Sequence, residues 1–153
     1  MKKIANLLMI LSVALFAACD DPVDTTVPPL KVTPYNLDGT WQLAEWNGVP
    51  LADSTYVYLV LDRKQTFEMY QKIGSGAYRL YRGTWNLENG LLTGKYNDGE
   101  GWAAAYNVEI KDRNLTLTSN NDAAESTLYT RCEIPAEVKD GCEVVVKSCE
   151  GGL

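Results

Sequence analysis

The sequence contains no histidine. That removes the commonest general base at neutral pH, the Ser-His and Cys-His nucleophile systems, and the commonest metal ligand. Its four cysteines form no Cys-x-x-Cys pair, so no zinc-type cluster is spelled out. Positive charge is also scarce, with 14 Lys and Arg against 20 Asp and Glu. Nucleic acid is excluded as a partner, because phosphate binding needs clustered Lys and Arg. Neither is there attraction to an anionic lipid surface. No apolar run reaches the twenty or so residues that cross a bilayer as a helix, and no segment before Ile134 carries a sustained helical period. Among the acids, Asp98 and Glu100 share one Gly-rich stretch. A glycosidase pair or a Ca²⁺ site is the chemical reading, but turns recruit these residues for backbone reasons. No catalytic residue, metal site or cofactor is indicated.

What is present is a hydrophobic fraction of 46% with 4 Trp, 9 Tyr and 2 Phe, enough for one packed domain. The chain opens with Met1-Lys2-Lys3, an apolar run over Ile4–Phe16, and then Ala17-Ala18-Cys19. This has the layout of a secretory signal. A Cys directly after small residues resembles the bacterial lipoprotein lipobox, with Phe16 where Leu is more usual. The resemblance implies cleavage after residue 18, lipidation of Cys19, and attachment to a membrane through several acyl chains. Removal of Lys2 and Lys3 leaves twelve basic against twenty acidic residues, a balance of −8. Asp20-Asp21 follows the Cys. Acidic residues at this place accompany surface export in some Gram-negative bacteria and inner-membrane retention in others. The expectation adopted is an outer-membrane lipoprotein exposed at the cell surface. Pro22, Pro28, Pro29 and Pro34 mark residues 19–36 as an extended tether, in which Asp20–Pro34 spans up to ~45 Å at polyproline II spacing.

From residue 37 the pattern is that of short strands. Gly39-Thr40-Trp41 opens the first, over Thr40–Asn47, and the phrase recurs as Gly83-Thr84-Trp85. Alternation predicts further strands at Tyr56–Asp62, Thr66–Lys72, Tyr78–Leu87, Leu91–Tyr96, Trp102–Lys111, Leu115–Ser119 and Ala124–Cys132. In the second, Val57, Leu59 and Leu61 face one way and Tyr56, Tyr58 and Val60 the other, so both faces look covered. Gly83 suggests a bulge or bend. Eight strands joined by short turns predict an all-β, eight-stranded up-and-down antiparallel barrel over residues 37–138, since closure removes unpaired edges. Ile134–Val138 is compatible with one helical turn. Residues 139–153 form a tail in which Val144-Val145-Val146 suggests a short strand.

In that order the segments resemble lipocalin-like bacterial lipoproteins. The resemblance rests on Gly39-Thr40-Trp41, Gly83-Thr84-Trp85, Leu92-Thr93-Gly94-Lys95-Tyr96, Leu115-Thr116-Leu117-Thr118-Ser119 and Arg131-Cys132-Glu133-Ile134-Pro135. It implies that Trp41 closes the base of the barrel beneath Arg131, a contact of roughly 0.5–2 kcal/mol. The Thr-Asp-Tyr motif of true lipocalins is missing.

Export permits disulfides. With Val144–Val146 extended, Cys142 and Cys149 lie ~23 Å apart, beyond the ~7 Å limit between bridged Cα atoms. Cys132 with Cys142 is the favoured pair, leaving Cys149 free. An eight-stranded barrel either fills with side chains or holds one small ligand. Tyr58, Tyr70, Trp85, Trp102 and Tyr106 are the candidate lining residues of such a cavity. Two functions therefore stand side by side. One is non-enzymatic binding of a small apolar or glycan-like ligand at the cell envelope. The other is a filled barrel acting through its surface with an envelope protein partner.

Overall fold

The structure, a computed structural model, describes residues 30–145. The signal-like segment, Cys19, most of the proline-rich stretch, Val146 and Cys149 lie outside the described residues. The first described residues already belong to the fold. Leu30 bridges to Ile110, Val32 packs on the core, and Pro34–Leu37 forms a single helical turn, α1. Thr33 and Asn36 cap that turn reciprocally, and Pro34 stands at its start, where no amide hydrogen is needed. The extended character predicted up to residue 36 therefore gives way to packed structure before it, because Leu37 has an apolar site to fill.

Ten strands follow: β1 (Gly39–Trp46), β2 (Val49–Pro50), β3 (Thr55–Leu61), β4 (Thr66–Ile73), β5 (Tyr78–Glu88), β6 (Leu91–Tyr96), β7 (Tyr106–Lys111), β8 (Asn114–Ser119), β9 (Ser126–Arg131) and β10 (Cys142–Val144). Between the last two lies α2 (Ala136–Asp140). Strands β1, β3, β4, β5, β6, β7, β8 and β9 pair antiparallel in that order, and β9 returns to β1. The result is a closed eight-stranded up-and-down barrel, as the alternation predicts. The weakest seam is β6–β7, paired only at Leu91↔Asn107 and Leu92↔Tyr106. Trp102–Lys111 is not one strand: pairing begins at Tyr106. The preceding residues bend back instead, with the Trp102 amide donating to the Gly94 carbonyl at 2.8 Å. Gly83 makes no bulge. It keeps register with Phe67 on one side and Tyr96 on the other.

Paired residues share a face, so register sorts the interior from the exterior. Trp41, Leu59 and Met69 form one inward row, and Ile110, Leu115 and Tyr129 another. Leu61, Leu92 and Leu115 are at most 1% exposed, and burying each is worth about 1.5–3 kcal/mol. The base is sealed from below. Trp41 is fully buried and its indole Nε1 donates to the Leu37 carbonyl at 2.9 Å. The Arg131 guanidinium lies 4.2 Å from the centre of the Trp41 ring. It also donates to the carbonyls of Asp38 (3.0 Å) and Asn36 (2.9 Å), tying the last barrel strand to the entry turn. Gly39 is required there: its φ is +139°, and a Cβ would run into the Arg131 guanidinium.

A second, smaller core lies on the outside. After β9 the chain crosses the outer face of β3–β5 as a strap, with Ile134 and the fully buried Val138 packed on Tyr58, Tyr70 and Leu80. It ends as β10, parallel to the start of β5. The double-sided apolar pattern of β3 is thereby explained: Val57, Leu59 and Leu61 face the barrel, Tyr58 and Val60 the strap.

Candidate functional site at the barrel mouth

The end opposite Trp41 is open. Between it and the packed base lies a chamber of about 200 Å³. Its aliphatic lining is Leu43, Val57, Leu59, Met69 and Leu117. Its aromatic lining is Trp46, Tyr96, Trp102, Tyr106 and Tyr129, and Gln71 and Thr127 supply polar groups. No charged side chain lines it.

The aromatic wall is a chain of edge-on contacts. Trp102 meets Tyr106 at 6.1 Å and Phe67 at 5.1 Å, Phe67 meets Tyr96 at 5.6 Å, and Tyr96 meets Tyr81 at 6.1 Å. Such geometry is favourable beyond area burial alone. Room for Trp102 comes from Gly94, where any Cβ would collide with the indole. Burial raises the Tyr106 hydroxyl pKa, and nearby Glu125 raises it further. Desolvation pushes Tyr129 well above the usual phenol range, with Tyr106 adding to the effect and a hydrogen bond with Thr127 opposing it. Both hydroxyls are therefore neutral at physiological pH, and that of Tyr129 is engaged with Thr127.

The five aromatics singled out by sequence separate into three places. Trp102 and Tyr106 line the chamber. Trp85 faces inward but lies toward the base, 2% exposed, with its Nε1 donating to the Thr66 carbonyl at 3.0 Å. Tyr58 and Tyr70 do not reach the interior at all. Both are buried under the strap, and Tyr70 donates to Glu68 at 2.9 Å. The correction follows from strand parity: each alternates with an inward neighbour, Leu59 or Met69, and so must point outward. Burial and the Glu68 contact raise the Tyr70 pKa to about 12.

Sequence reasoning missed Trp46. Simple alternation from Trp41 and Leu43 puts Glu45 inside and Trp46 outside. The β1–β9 register shifts between Leu43 and Glu45, and the extra residue turns Trp46 onto the chamber side opposite Thr127. Cys132 and Cys142 are also corrected, since both are free thiols. Cys142 is fixed by its pairing with Tyr78 and turns its thiol to the Lys139 carbonyl at 3.2 Å, while Cys132 continues β9. Asp98 and Glu100 serve their turn, with the Glu100 amide donating to the Asp98 carboxylate at 2.8 Å. Among the described residues no group of His, Cys, Asp and Glu is arranged to hold a metal.

Comparison with known proteins adds three findings. A sequence profile described as a lipocalin-like domain matches residues 37–117. The chain is similar to the crystal structure of an uncharacterized protein from Bacteroides eggerthii DSM 20697. It is 17% identical, with a TM-score of 0.49, and the match covers 63% of this chain and 99% of that one. No curated protein matches the sequence.

Proposed function

The chain belongs to the lipocalin-like domain family, and on that footing we propose that it binds a small, largely apolar ligand in the mouth chamber, without catalysis. The carrying observation is the chamber itself, lined by aliphatic and aromatic side chains, uncharged and open to solvent. Pockets for drug-sized ligands start near 300 Å³, so about 200 Å³ selects something smaller. A cavity of about 150 Å³ holds a benzene ring. The ligand therefore offers one ring or a short alkyl segment to the chamber, and a sugar would present only its apolar face to Trp46 and Trp102. Lipidation of Cys19 would hold this barrel at the cell envelope, on the outer membrane and facing outward, with residues 20–29 as spacer.

Native mass spectrometry of the full-length protein, extracted from its own envelope in mild detergent, tests the binding. A retained small mass that is lost in Trp102→Ala supports it. A bare protein that also fails to retain added toluene overturns it. Incorporation of an alkyne fatty acid, abolished in Cys19→Ala, tests the anchor separately.

One observation favours a second reading. Trp46, Val49 and Ile73 are 48%, 63% and 69% exposed around the same mouth. A partner protein seated on this rim would make the barrel a scaffold whose interior is merely packed. Cross-linking from the rim in intact cells distinguishes it, because only this reading expects one protein to be captured repeatedly and toluene to have no effect.

A further inference from the structure

One row of side chains crosses four strands at the mouth. Val57 on β3 pairs with Gln71 on β4, Gln71 with Arg79 on β5, and Arg79 with Glu143 on β10. Directly paired residues project to one face, so the row passes from the apolar chamber wall to an amide, a cation and an anion. Gln71 belongs to two spaces. It lines the chamber, and it also lines an open hollow of about 550 Å³ shared with Ile73, Arg79 and Glu143. Arg79 and Glu143 are both exposed. The ion pairs among the described residues, Arg63–Asp38 and Arg82–Glu68, use neither.

Neighbouring strands lie about 4.8 Å apart. The row therefore presents opposite charges side by side, Arg79 one strand and Glu143 two strands further from the chamber than Gln71. A simple anion would gain Arg79 and meet repulsion from Glu143, and a simple cation would meet the reverse. A dipolar head gains both. Resting on the chamber reading above, we propose that the mouth recognises a zwitterionic ligand of the aromatic α-amino-acid type. Its ring enters the chamber, its carboxylate lies on Arg79, its ammonium lies on Glu143, and the Gln71 amide stands at the junction. Guanidinium suits this role because its fork matches a carboxylate. The strap acquires a purpose in the same scheme, since β10 brings Glu143 to a barrel that is already closed without it.

The test is isothermal titration calorimetry on the full-length protein in detergent with four probes. L-phenylalanine carries both charges, 3-phenylpropionate only the carboxylate, phenethylamine only the ammonium, and ethylbenzene neither. L-phenylalanine is expected to bind at least tenfold more tightly than each of the other three. Arg79→Met and Glu143→Gln are each expected to weaken L-phenylalanine about tenfold and to leave ethylbenzene unchanged. Both positions are exposed, and an unaltered melting temperature confirms that the variants fold. Equal binding of L-phenylalanine and ethylbenzene, or L-phenylalanine binding untouched by both substitutions, overturns the zwitterion proposal and leaves the chamber intact. If no ring compound binds, the chamber reading falls with it.

Discussion

The base and the mouth of this barrel are built from the same residue types and do opposite things with them. At the base, the indole N–H groups of Trp41 and Trp85 are satisfied by backbone carbonyls, and both rings are nearly or wholly buried. At the mouth, Trp46 and Trp102 border an unfilled chamber, and Trp46 remains about half exposed. Closure explains the difference. The entry turn α1 and the Arg131 fork cap one end, where backbone carbonyls of Leu37, Asp38 and Asn36 accept from the Trp41 indole and the guanidinium. The other end is crossed by the longer loops, and its β6–β7 seam is short. Aromatic content alone therefore says nothing about binding. What distinguishes a wall from a plug is whether another element of the chain seals it.

The contrast can be broken most severely at the base. Trp41→Ala removes the plug and strands the Arg131 guanidinium, and is expected to destabilise the protein by about 3–5 kcal/mol in urea melts. A loss below 1 kcal/mol would mean that the base is not where the fold is anchored. Next in size is Gly94→Val, which drives a side chain into the Trp102 ring. A loss of about 1–3 kcal/mol is expected, together with altered tryptophan emission. Trp102→Leu, by contrast, is expected to cost about 1 kcal/mol in stability while ring-ligand affinity falls at least tenfold, dissociating binding from folding.

High pH probes the strap, the third apolar surface. An unfolded tyrosine ionises near 10, whereas Tyr70 in the fold ionises near 12. The folded state keeps that proton longer, so the contribution is fully present below about pH 10 and is lost as pH rises toward 12. Phenolate absorbance should show Tyr70 titrating late. The smallest effect is expected at the surface pair Arg82–Glu68, where Arg82→Ala should change stability by less than about 1 kcal/mol.

Much of the barrel was legible because its strands alternate cleanly, and Leu115 and Leu117 fall inward as read. The base was legible through Gly39, Trp41 and Arg131, since a tight backbone approach leaves a glycine behind. The mouth was harder. Trp46 is placed by a one-residue bulge that alternation does not encode, and Trp102 lies in a bend that mimics the parity of a strand. Tyr58 and Tyr70 were misleading because a buried outer face carries the same residues as an inner one. The two apolar faces of β3 announce a cover, but nothing before residue 132 says that α2 and β10 supply it.

The most direct measurement is titration of the ¹⁵N-labelled protein with ethylbenzene, following the four tryptophan indole N–H resonances by NMR. The signals of Trp46 and Trp102 should move together and saturate, while those of Trp41 and Trp85 stay fixed. Movement at the base pair instead, or four unmoved signals at saturating ligand, would contradict a binding chamber at the mouth.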